Sequence, residues 1–279
     1  MIDRGEGPPL ILIPGIQGRW EWMAPAIETL SLRHRVLSFS LTEAMTGVEA
    51  RSGRAFDAWQ RYIDTLLDRA GLSTATLVGV SFGGLIAARY AARRPERVAA
   101  LVLVSAPSPQ WRLDVRQAAY LRRPLWSAPA FLVRAIIRLV PEVIAAQPTW
   151  PARINFLTGH FGRVIRFPPS PPQMAAWVRD WQALDLSVDC RRILARTLIV
   201  TGEAPLDRVV PQASTLEYAS LLPDARHVVL HGTGHIGLVT KPEEFAGIVG
   251  KFIDEDSLRQ RSEATRHKSG TSWRLSSVP

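Results

Sequence analysis

Short, uninterrupted runs of apolar residues alternate with longer segments of helical spacing along most of the chain. Apolar runs without alternation are typical of strands that are covered on both faces of a sheet. They predict six strands, at residues 9–13, 35–40, 75–78, 98–104, 196–200 and 226–230. Helical spacing predicts helices at residues 23–32, 56–70, 85–92, 212–222 and 242–254. This order predicts an α/β fold with a mostly parallel, doubly wound sheet of about six strands.

The alternation stops between Ser108 and Asp189. Five of the nine tryptophans lie in this stretch, prolines interrupt it, and segments such as residues 131–140 have the spacing of short amphipathic helices. We therefore expect a helical cap, inserted after a strand, that lies over the carboxyl ends of the strands. The predicted domains are an α/β core at residues 1–107 and 190–255, a helical cap at 108–189, and a basic, disordered tail at 256–279.

Composition favours a folded α/β domain over several other classes of protein. A chain of 279 residues that is 47% hydrophobic can bury one large core. The formal net charge is +9, but most of the arginines are scattered singly, without the basic stripe and aromatic residues of a nucleic-acid groove. We therefore expect a small-molecule substrate and no nucleic-acid partner, and the sequence leaves the oligomeric state open.

Targeting signals are not apparent in the sequence. No run of 18 uncharged apolar residues predicts a transmembrane helix, and residues 1–8 carry no apolar signal-peptide block. The one cysteine, Cys190, excludes an internal disulfide and is expected to be a small buried apolar residue. These features favour a cytoplasmic location without stable membrane insertion.

A serine between two glycines is the strongest chemical signal in the chain. The segment Gly79-Val80-Ser81-Phe82-Gly83 follows a predicted strand and precedes a helix rich in small residues. A nucleophile on such a sharp turn needs small neighbours, because larger side chains would clash there. The amino end of the helix would direct free N–H groups at charge that develops beside Ser81. A plain glycine–serine turn is the alternative interpretation of these residues.

A nucleophilic serine requires a base, and a histidine loop near the end of the chain offers one. His235 follows the last predicted strand, and the flanking glycines Gly232 and Gly234 allow a close approach to another segment of backbone. His231 lies just before those glycines and is the second choice. His235 is therefore the predicted base.

The base in turn requires an acid that orients it. The loop after the strand at residues 196–200 offers two, Asp207 and Glu203. Glu203 stands nearer the end of the strand, where a turn or capping role is expected. The order of serine, aspartate and histidine along the chain favours Asp207.

Stabilising an oxyanion takes two fixed hydrogen-bond donors. The N–H of Phe82, directly after the serine, is the first candidate. The second is expected in the turn at residues 14–18, where the N–H of Ile16 is preferred over that of Gln17. Without the other motifs, this turn is equally well explained as a simple strand-to-helix connection.

Together these residues resemble the α/β-hydrolase family, and the resemblance extends from Pro9 to Asp254. It implies that residues 79–83 form the nucleophile turn, residues 202–211 carry the acid, residues 234–235 carry the base, and residues 14–16 form the oxyanion turn. The nucleophile position holds a serine and not an aspartate. The resemblance therefore points to the serine branch of the family and away from dehalogenases and epoxide hydrolases.

Three features depart from the family pattern. Pro14 stands where family members usually carry a histidine, and the acid loop is slightly longer than its commonest form. The chain also begins almost at what is normally the third strand. We therefore expect the leading antiparallel pair of strands to be missing and one edge of the sheet to be exposed.

A serine triad with an oxyanion hole carries out acyl transfer without a metal or an organic cofactor. The sequence contains no metal-ligand cluster and no dinucleotide fingerprint, and its aromatic, aliphatic cap favours a substrate with an apolar portion. We therefore predict a cofactor-independent hydrolase of carboxylic esters or related acyl compounds. The alternatives are a C–C or amide bond hydrolase on the same triad, a non-catalytic ligand-binding relative and, least favoured, peripheral membrane association through basic cap helices.

Overall fold

The computed structural model describes residues 1–45 and 54–255, so the tail predicted at residues 256–279 lies outside the described residues. Within those ranges one sheet holds the strands β1 (Ile2–Arg4), β2 (Pro9–Ile13), β3 (Arg35–Ser38), β4 (Ala75–Val80), β5 (Val98–Val104), β6 (Thr197–Thr201) and β7 (Ala225–Val229). Their spatial order is β1-β3-β2-β4-β5-β6-β7. All neighbours are parallel except the pair β1 and β3. The mostly parallel α/β sheet predicted from the sequence is thus confirmed.

One correction concerns the edge of the sheet. The expectation of about six strands, with no antiparallel strand before them, is one strand short because β1 pairs antiparallel with β3. This strand is only three residues long and contains a single apolar residue, so no local pattern predicts it. A distant contact stabilises it instead: Arg35 Nη2 donates to Asp3 Oδ2 at 2.8 Å.

The helices connect and cover the strands. They are α1 (Ala24–Leu30), α2 (Ala55–Arg69), α3 (Phe82–Arg93), α4 (Val115–Arg122), α5 (Pro124–Ala146), α6 (Trp150–Arg166), α7 (Pro171–Gln182), α8 (Leu186–Cys190), α9 (Gln212–Leu216), α10 (Tyr218–Leu221), α11 (Gly237–Thr240) and α12 (residues 242–255). The single helix predicted at residues 212–222 is broken at Glu217, between α9 and α10. At this break, the buried hydroxyl of Ser108 donates to the carboxylate of Glu217.

The hydrophobic core forms two layers, one on each face of the sheet. Ile11 and Ile13 of β2 join α2, α3 and α8 in one layer. Leu10 and Leu12 join α1 and α12 in the other. Successive side chains of a strand point to opposite faces, so a strand covered on both faces must be apolar throughout. This explains why the apolar runs predicted the strands well.

Five helices, α4 to α8, occupy the stretch between β5 and β6 that was predicted as a cap. Of these, α7 buries Trp177 and Trp181 against the core. In contrast, α5 and α6 expose most of their side chains, and Trp126 and Trp150 are 87% and 73% exposed. The division into core and cap domains stays a prediction. Across the described part of the chain, no helix is both long and apolar enough to cross a membrane.

Candidate active site

Ser81 lies on the sharp turn between β4 and α3, in a backbone conformation that is unfavourable for a residue with a side chain. Its φ is 51° and its ψ is −121°, outside the regions that L-residues ordinarily occupy. Two hydrogen bonds hold the turn: Ser81 N–H donates to Val104 O, and Gly84 N–H donates to Ser81 O, each at 2.8 Å. The turn therefore presents the Ser81 side chain above the end of β4.

The glycines around Ser81 are required by lack of space. A Cβ atom on Gly79 would lie 2.6 Å from both Gly83 O and Gly84 Cα. A Cβ atom on Gly83 would collide with the carbonyls of Ile13 and Pro14. Any larger residue at either position would push α3 away from β4 or from the turn after β2. The need for small residues on both sides of Ser81, predicted from the sequence, thus has a steric cause in the structure.

The structure brings together the three side chains predicted as nucleophile, base and acid. His235 Nε2 lies 3.1 Å from Ser81 Oγ, although the two residues are 154 positions apart in the sequence. On the other side of the ring, His235 Nδ1 lies 3.3 Å from Asp207 Oδ2. Both His235 and Asp207 are buried. The three groups form a continuous hydrogen-bonded chain that ends at the serine hydroxyl.

The carboxylate of Asp207 is held by several donors. Its Oδ1 accepts the N–H groups of Val209 and Val210 at 3.1 and 3.0 Å, and the hydroxyl of Ser105 also hydrogen-bonds to it. Burial raises the pKa of Asp207, but the charge and hydrogen bond of His235, together with the bonds from Val210 and Ser105, outweigh burial and hold the pKa below its ordinary value. The aspartate is therefore ionised at neutral pH.

The second-choice residues, Glu203 and His231, pair with each other away from Ser81. Glu203 Oε1 accepts the N–H of Gly232 at 3.0 Å and lies 3.2 Å from His231 Nδ1. The hydrogen bond from Gly232, and then the one from His231, lower the pKa of Glu203. Glu203 thus fixes the start of the histidine loop, while Asp207 contacts His235.

The turn after β2 lies directly against Ser81. A Cβ atom on Gly15 would be 3.5 Å from Ser81 Cβ, in ordinary van der Waals contact, and Gly18 N–H closes the turn on Gly15 O at 2.8 Å. Phe82 is the first residue of α3, where backbone N–H groups make no hydrogen bond within the helix. The predicted oxyanion donors are the N–H groups of the next residues along the chain: Ile16 directly follows Gly15, and Phe82 directly follows Ser81.

Aromatic rings connect the inserted helix α7 to the serine turn. The Phe82 ring meets Trp59 and Trp181 edge to face, with centroids 5.8 and 6.2 Å apart. Trp177 packs on Trp59 at 5.6 Å, and its ring leaves no room for a Cβ atom on Gly18. The turn after β2, the start of α3 and the inserted helix therefore share one buried aromatic cluster.

Two residues that the sequence analysis did not select lie at this site. Ser105, at the end of β5, contacts Asp207, and no local pattern singles it out. Glu142 of α5 is fully buried against the histidine loop. A weak signal for Glu142 exists in the sequence, since it is the only acidic residue between Asp114 and Asp180, in a stretch with nine arginines.

Clusters of metal-binding side chains and the one cysteine were the other candidate chemistry in the described residues. Residues 1–45 and 54–255 contain no group of three or more histidine, cysteine or acidic side chains placed to hold a metal ion. Cys190 is buried in α8, and burial, followed by the charge of Asp189, raises the pKa of its thiol to about 12. The expectation that Cys190 is a buried residue is confirmed.

Comparisons with known proteins agree on the fold. A family model described as the α/β hydrolase fold matches residues 8–127. A candidate carbamate hydrolase of Azorhizobium caulinodans, RutD, is 28% identical over 263 residues, which cover 90% of this chain and 93% of that protein. The pimeloyl-(acyl-carrier protein) methyl ester esterase of Nitrosomonas europaea is 27% identical, with coverages of 86% and 94%. The structure of an enol-lactonase from Burkholderia xenovorans matches with a TM-score of 0.70 at 21% identity, with coverages of 91% and 95%.

Proposed function

Because this chain belongs to the α/β-hydrolase fold family, we propose that it is a serine hydrolase that acts on a carboxylic ester, or a related acyl compound, with an apolar portion. The observation that carries the proposal is the hydrogen-bonded chain from Ser81 Oγ through His235 to Asp207, with distances of 3.1 and 3.3 Å. Similar proteins named for hydrolysis of a carbamate, an ester and a lactone support a hydrolase.

In the proposed acylation step, Ser81 Oγ attacks the carbonyl carbon of the substrate while His235 Nε2 takes the hydroxyl proton. The carbonyl oxygen becomes an oxyanion, and the N–H groups of Ile16 and Phe82 are the proposed donors that stabilise it. The tetrahedral intermediate then expels the alcohol, which receives the proton from His235. The product of this half-reaction is an ester on Ser81.

In the proposed deacylation step, His235 takes a proton from water, and the resulting hydroxide attacks the ester on Ser81. The second tetrahedral intermediate releases the carboxylic acid, and the proton returns to Ser81 Oγ. Asp207 stays ionised throughout, since its pKa lies below the ordinary value. Its role is to orient the imidazole and to stabilise the imidazolium that forms in both steps.

We propose that residues 108–189 act as a cap over this site, on a core of residues 1–107 and 190–255. Two contacts support this division. Trp181 of α7 meets Phe82 next to the nucleophile, and Glu142 of α5 meets the histidine loop. The aromatic residues of α7 beside Phe82 suit the apolar portion of an acyl substrate.

The cytoplasm is the proposed location of this activity. A buried free thiol, Cys190, is compatible with a reducing compartment. The proposed partner is a small-molecule acyl substrate, and the mechanism requires water as its only other reactant.

Purified protein with Ser81→Ala as its control tests the proposal. We expect turnover of p-nitrophenyl esters, and we expect Ser81→Ala to lower kcat by about 10,000-fold or more, because the nucleophile is lost. The thermal unfolding temperature should change little, since Ser81 is only half-buried. Ester turnover by folded Ser81→Ala at the wild-type rate would contradict the assignment.

The same protein separates the proposed ester hydrolase from the alternatives. A lactone and an amide substrate are compared with esters of increasing acyl length, and a fluorophosphonate probe reports on the nucleophile. Labelling at Ser81 with efficient ester or lactone turnover supports the proposal. Labelling with preference for the amide, or with weak release from every ester, favours amide or C–C bond hydrolysis. Folded protein without an adduct at Ser81 indicates a non-catalytic binding protein.

A further inference from the structure

A buried carboxylate from the inserted helices reaches the loop that carries His235. Glu142 lies in the last two turns of α5 and has no solvent exposure. Its Oε1 accepts the hydroxyl of Thr233 at 2.6 Å and the N–H of Ile236 at 2.9 Å. The N–H of Gly234 lies close enough to lower the pKa of this carboxylate. The donors come from both sides of His235 in the sequence, so one side chain holds the backbone on either side of the imidazole.

Other contacts hold the histidine loop at other atoms. Glu203 N–H donates to Thr233 O at 2.8 Å, and Ile236 O accepts the N–H groups of Val239 and Thr240 at 2.8 and 3.0 Å. On the far side of Thr233, Glu203 binds Gly232 and His231. Beyond Ile236, Gln147 Nε2 donates to Thr240 O at 2.8 Å and ties the end of α5 to α11. Between these two contacts, the backbone of Leu206 and Asp207 lies so close that Gly234 has no room for a Cβ atom. Glu142 is the carboxylate placed at the residues next to the base.

The position of Glu142 is not explained by stability alone. Its Oε2 is buried without a hydrogen-bond partner among the described residues. Burial raises the pKa of Glu142, although the bonds from Thr233 and from the loop backbone, and the charge of His235, act in the opposite direction. A buried carboxyl group with an unpaired oxygen costs stability that an apolar side chain of similar size would not. The contacts it makes with the loop are therefore the feature to explain.

We propose that Glu142 is a positioning residue for His235: through Thr233, Gly234 and Ile236, it fixes the loop so that Nε2 faces Ser81 Oγ. It follows that the docking of α5 on the histidine loop is part of the active site and not only a cover for it. This inference rests on the proposed function, since a positioned base matters only if Ser81 is the nucleophile. A displacement of a catalytic group by about 1 Å can cost about 100-fold in rate, so a loosened loop should affect kcat more than KM.

The test compares Glu142→Ala and Glu142→Gln with a matched control, Gln147→Ala, which removes a contact of the same helix to α11 only. We expect Glu142→Ala to lower kcat on the best ester by about 10- to 100-fold, with KM within about threefold of wild type. Glu142→Gln keeps an acceptor oxygen for the Thr233 hydroxyl and the Ile236 N–H and should retain kcat within about threefold. Gln147→Ala should stay within about twofold. Equal kcat losses in Glu142→Ala and Gln147→Ala would show that general packing of α5, and not the Glu142 carboxylate, causes the effect, and would overturn the proposal.

A second measurement reads the loop directly and does not depend on turnover. Amide hydrogen exchange followed by NMR should show faster exchange at Gly234 and Ile236 in Glu142→Ala, and unchanged exchange there in Gln147→Ala. A folded Glu142→Ala protein with wild-type kcat and wild-type exchange would refute the role of Glu142. If Glu142→Ala does not fold, Thr233→Val removes one donor with little change of shape. A lower kcat in that variant supports the proposal, and an unchanged kcat with unchanged exchange overturns it.

Failure of the proposed function gives a different pattern. Folded wild-type protein that a fluorophosphonate does not label at Ser81 contradicts the serine hydrolase itself. The proposed positioning of His235 for catalysis is then also wrong, whatever the exchange rates show. Labelled wild-type protein with an equally fast labelling rate in folded Glu142→Ala contradicts only the role of Glu142.

Discussion

Ser81 and Ser105 are the two non-glycine residues with a positive φ in the described ranges, at 51° and 42°. Such conformations cost about 1–3 kcal/mol each and persist only where the surrounding contacts impose them. Ser105 N–H donates to Val200 O at 2.8 Å, which fixes it at the end of β5. Its hydroxyl hydrogen-bonds to Asp207. The two strained serines thus lie at opposite ends of the chain of contacts that runs from Ser81 through His235 to Asp207.

Replacing Ser105 by alanine tests the contribution of this hydroxyl. A hydrogen bond to a charged group contributes about 1.5–3 kcal/mol, and the Ser105 hydroxyl is one of the groups that lower the pKa of Asp207. We therefore expect Ser105→Ala to raise the pKa of Asp207, measured by NMR titration of the carboxyl carbon. We also expect kcat to fall several-fold, because the imidazole is held less firmly.

Ser108→Ala is the control for this measurement, since Ser108 is also buried but donates to Glu217, away from Asp207. It should leave the titration of Asp207 unchanged. An Asp207 carboxyl that titrates identically in wild-type protein and Ser105→Ala would show that the hydroxyl contributes nothing to the acid.

The sequence was informative about the site where chemistry is carried by local motifs. The flanking glycines indicate Ser81, and the order of the motifs and the loops that carry them indicate Asp207 and His235. The structure brings these three side chains together, and their catalytic roles stay predictions. Ser105 and Glu142 had no comparable signal, because each acts through a contact with a distant loop. Glu142 and Ile236, for example, are 94 positions apart.

At the scale of elements, a buried ion pair connects α3, the helix that begins directly after Ser81, to α8 at the end of the insertion. Arg89 Nη1 donates to Asp189 Oδ2 at 2.7 Å, and both side chains are buried. Asp57 of α2 lies 3.7 Å from the same guanidinium but is 47% exposed. Removing one partner of a buried pair leaves an uncompensated charge, so the two acids should differ in their effect on stability.

We predict that Asp189→Ala lowers the free energy of unfolding by about 3 kcal/mol, measured by urea denaturation. Its matched control, Asp57→Ala, removes an exposed partner of the same arginine and should cost less than about 1 kcal/mol. Equal losses of the free energy of unfolding in the two variants would show that the buried Asp189 stabilises the fold no more than the exposed Asp57. Ester turnover of folded Asp189→Ala, measured below its unfolding temperature, should stay near wild type because Asp189 does not contact the triad.

The elements themselves were predictable where burial imposes a pattern. The inner parallel strands are covered on both faces of the sheet, so they are mainly apolar runs, whereas the edge strand β7 contains the exposed residues Arg226 and His227. The edge strand β1 is stabilised by pairing and by Asp3 with Arg35, and such contacts leave no periodic signal. At the break between α9 and α10, Glu217 accepts the buried hydroxyl of Ser108, which is 109 positions away and equally without a local signal.

At the scale of the whole molecule, two buried carboxyl groups give the stability of the fold opposite dependences on pH. Asp207 faces the charge of His235, the N–H groups of Val209 and Val210, and the Ser105 hydroxyl, and its pKa is lowered despite burial. Glu142 faces His235 as well, but burial dominates and raises its pKa. Stability from Asp207 is present above its ordinary pKa of 3.8 and is lost as the pH falls through its native pKa.

Glu142 has the opposite sign, because the native state favours its protonated form. Its contribution is fully present below the ordinary pKa of 4.5 and is lost as the pH rises through the raised native pKa. Glu142→Gln removes this titration. Urea denaturation from pH 4 to 8 measures the free energy of unfolding of both proteins. We expect the value for Glu142→Gln minus the value for wild type to increase with pH above about 4.5. The difference should become constant once the pH has passed the native pKa of Glu142. Parallel curves of the free energy of unfolding for Glu142→Gln and wild type from pH 4 to 8 would show that the buried glutamate does not titrate differently in the folded protein.

Asp207→Asn is expected to have a lower free energy of unfolding than wild type at pH 5. The difference between the two proteins should become smaller as the pH falls to 3.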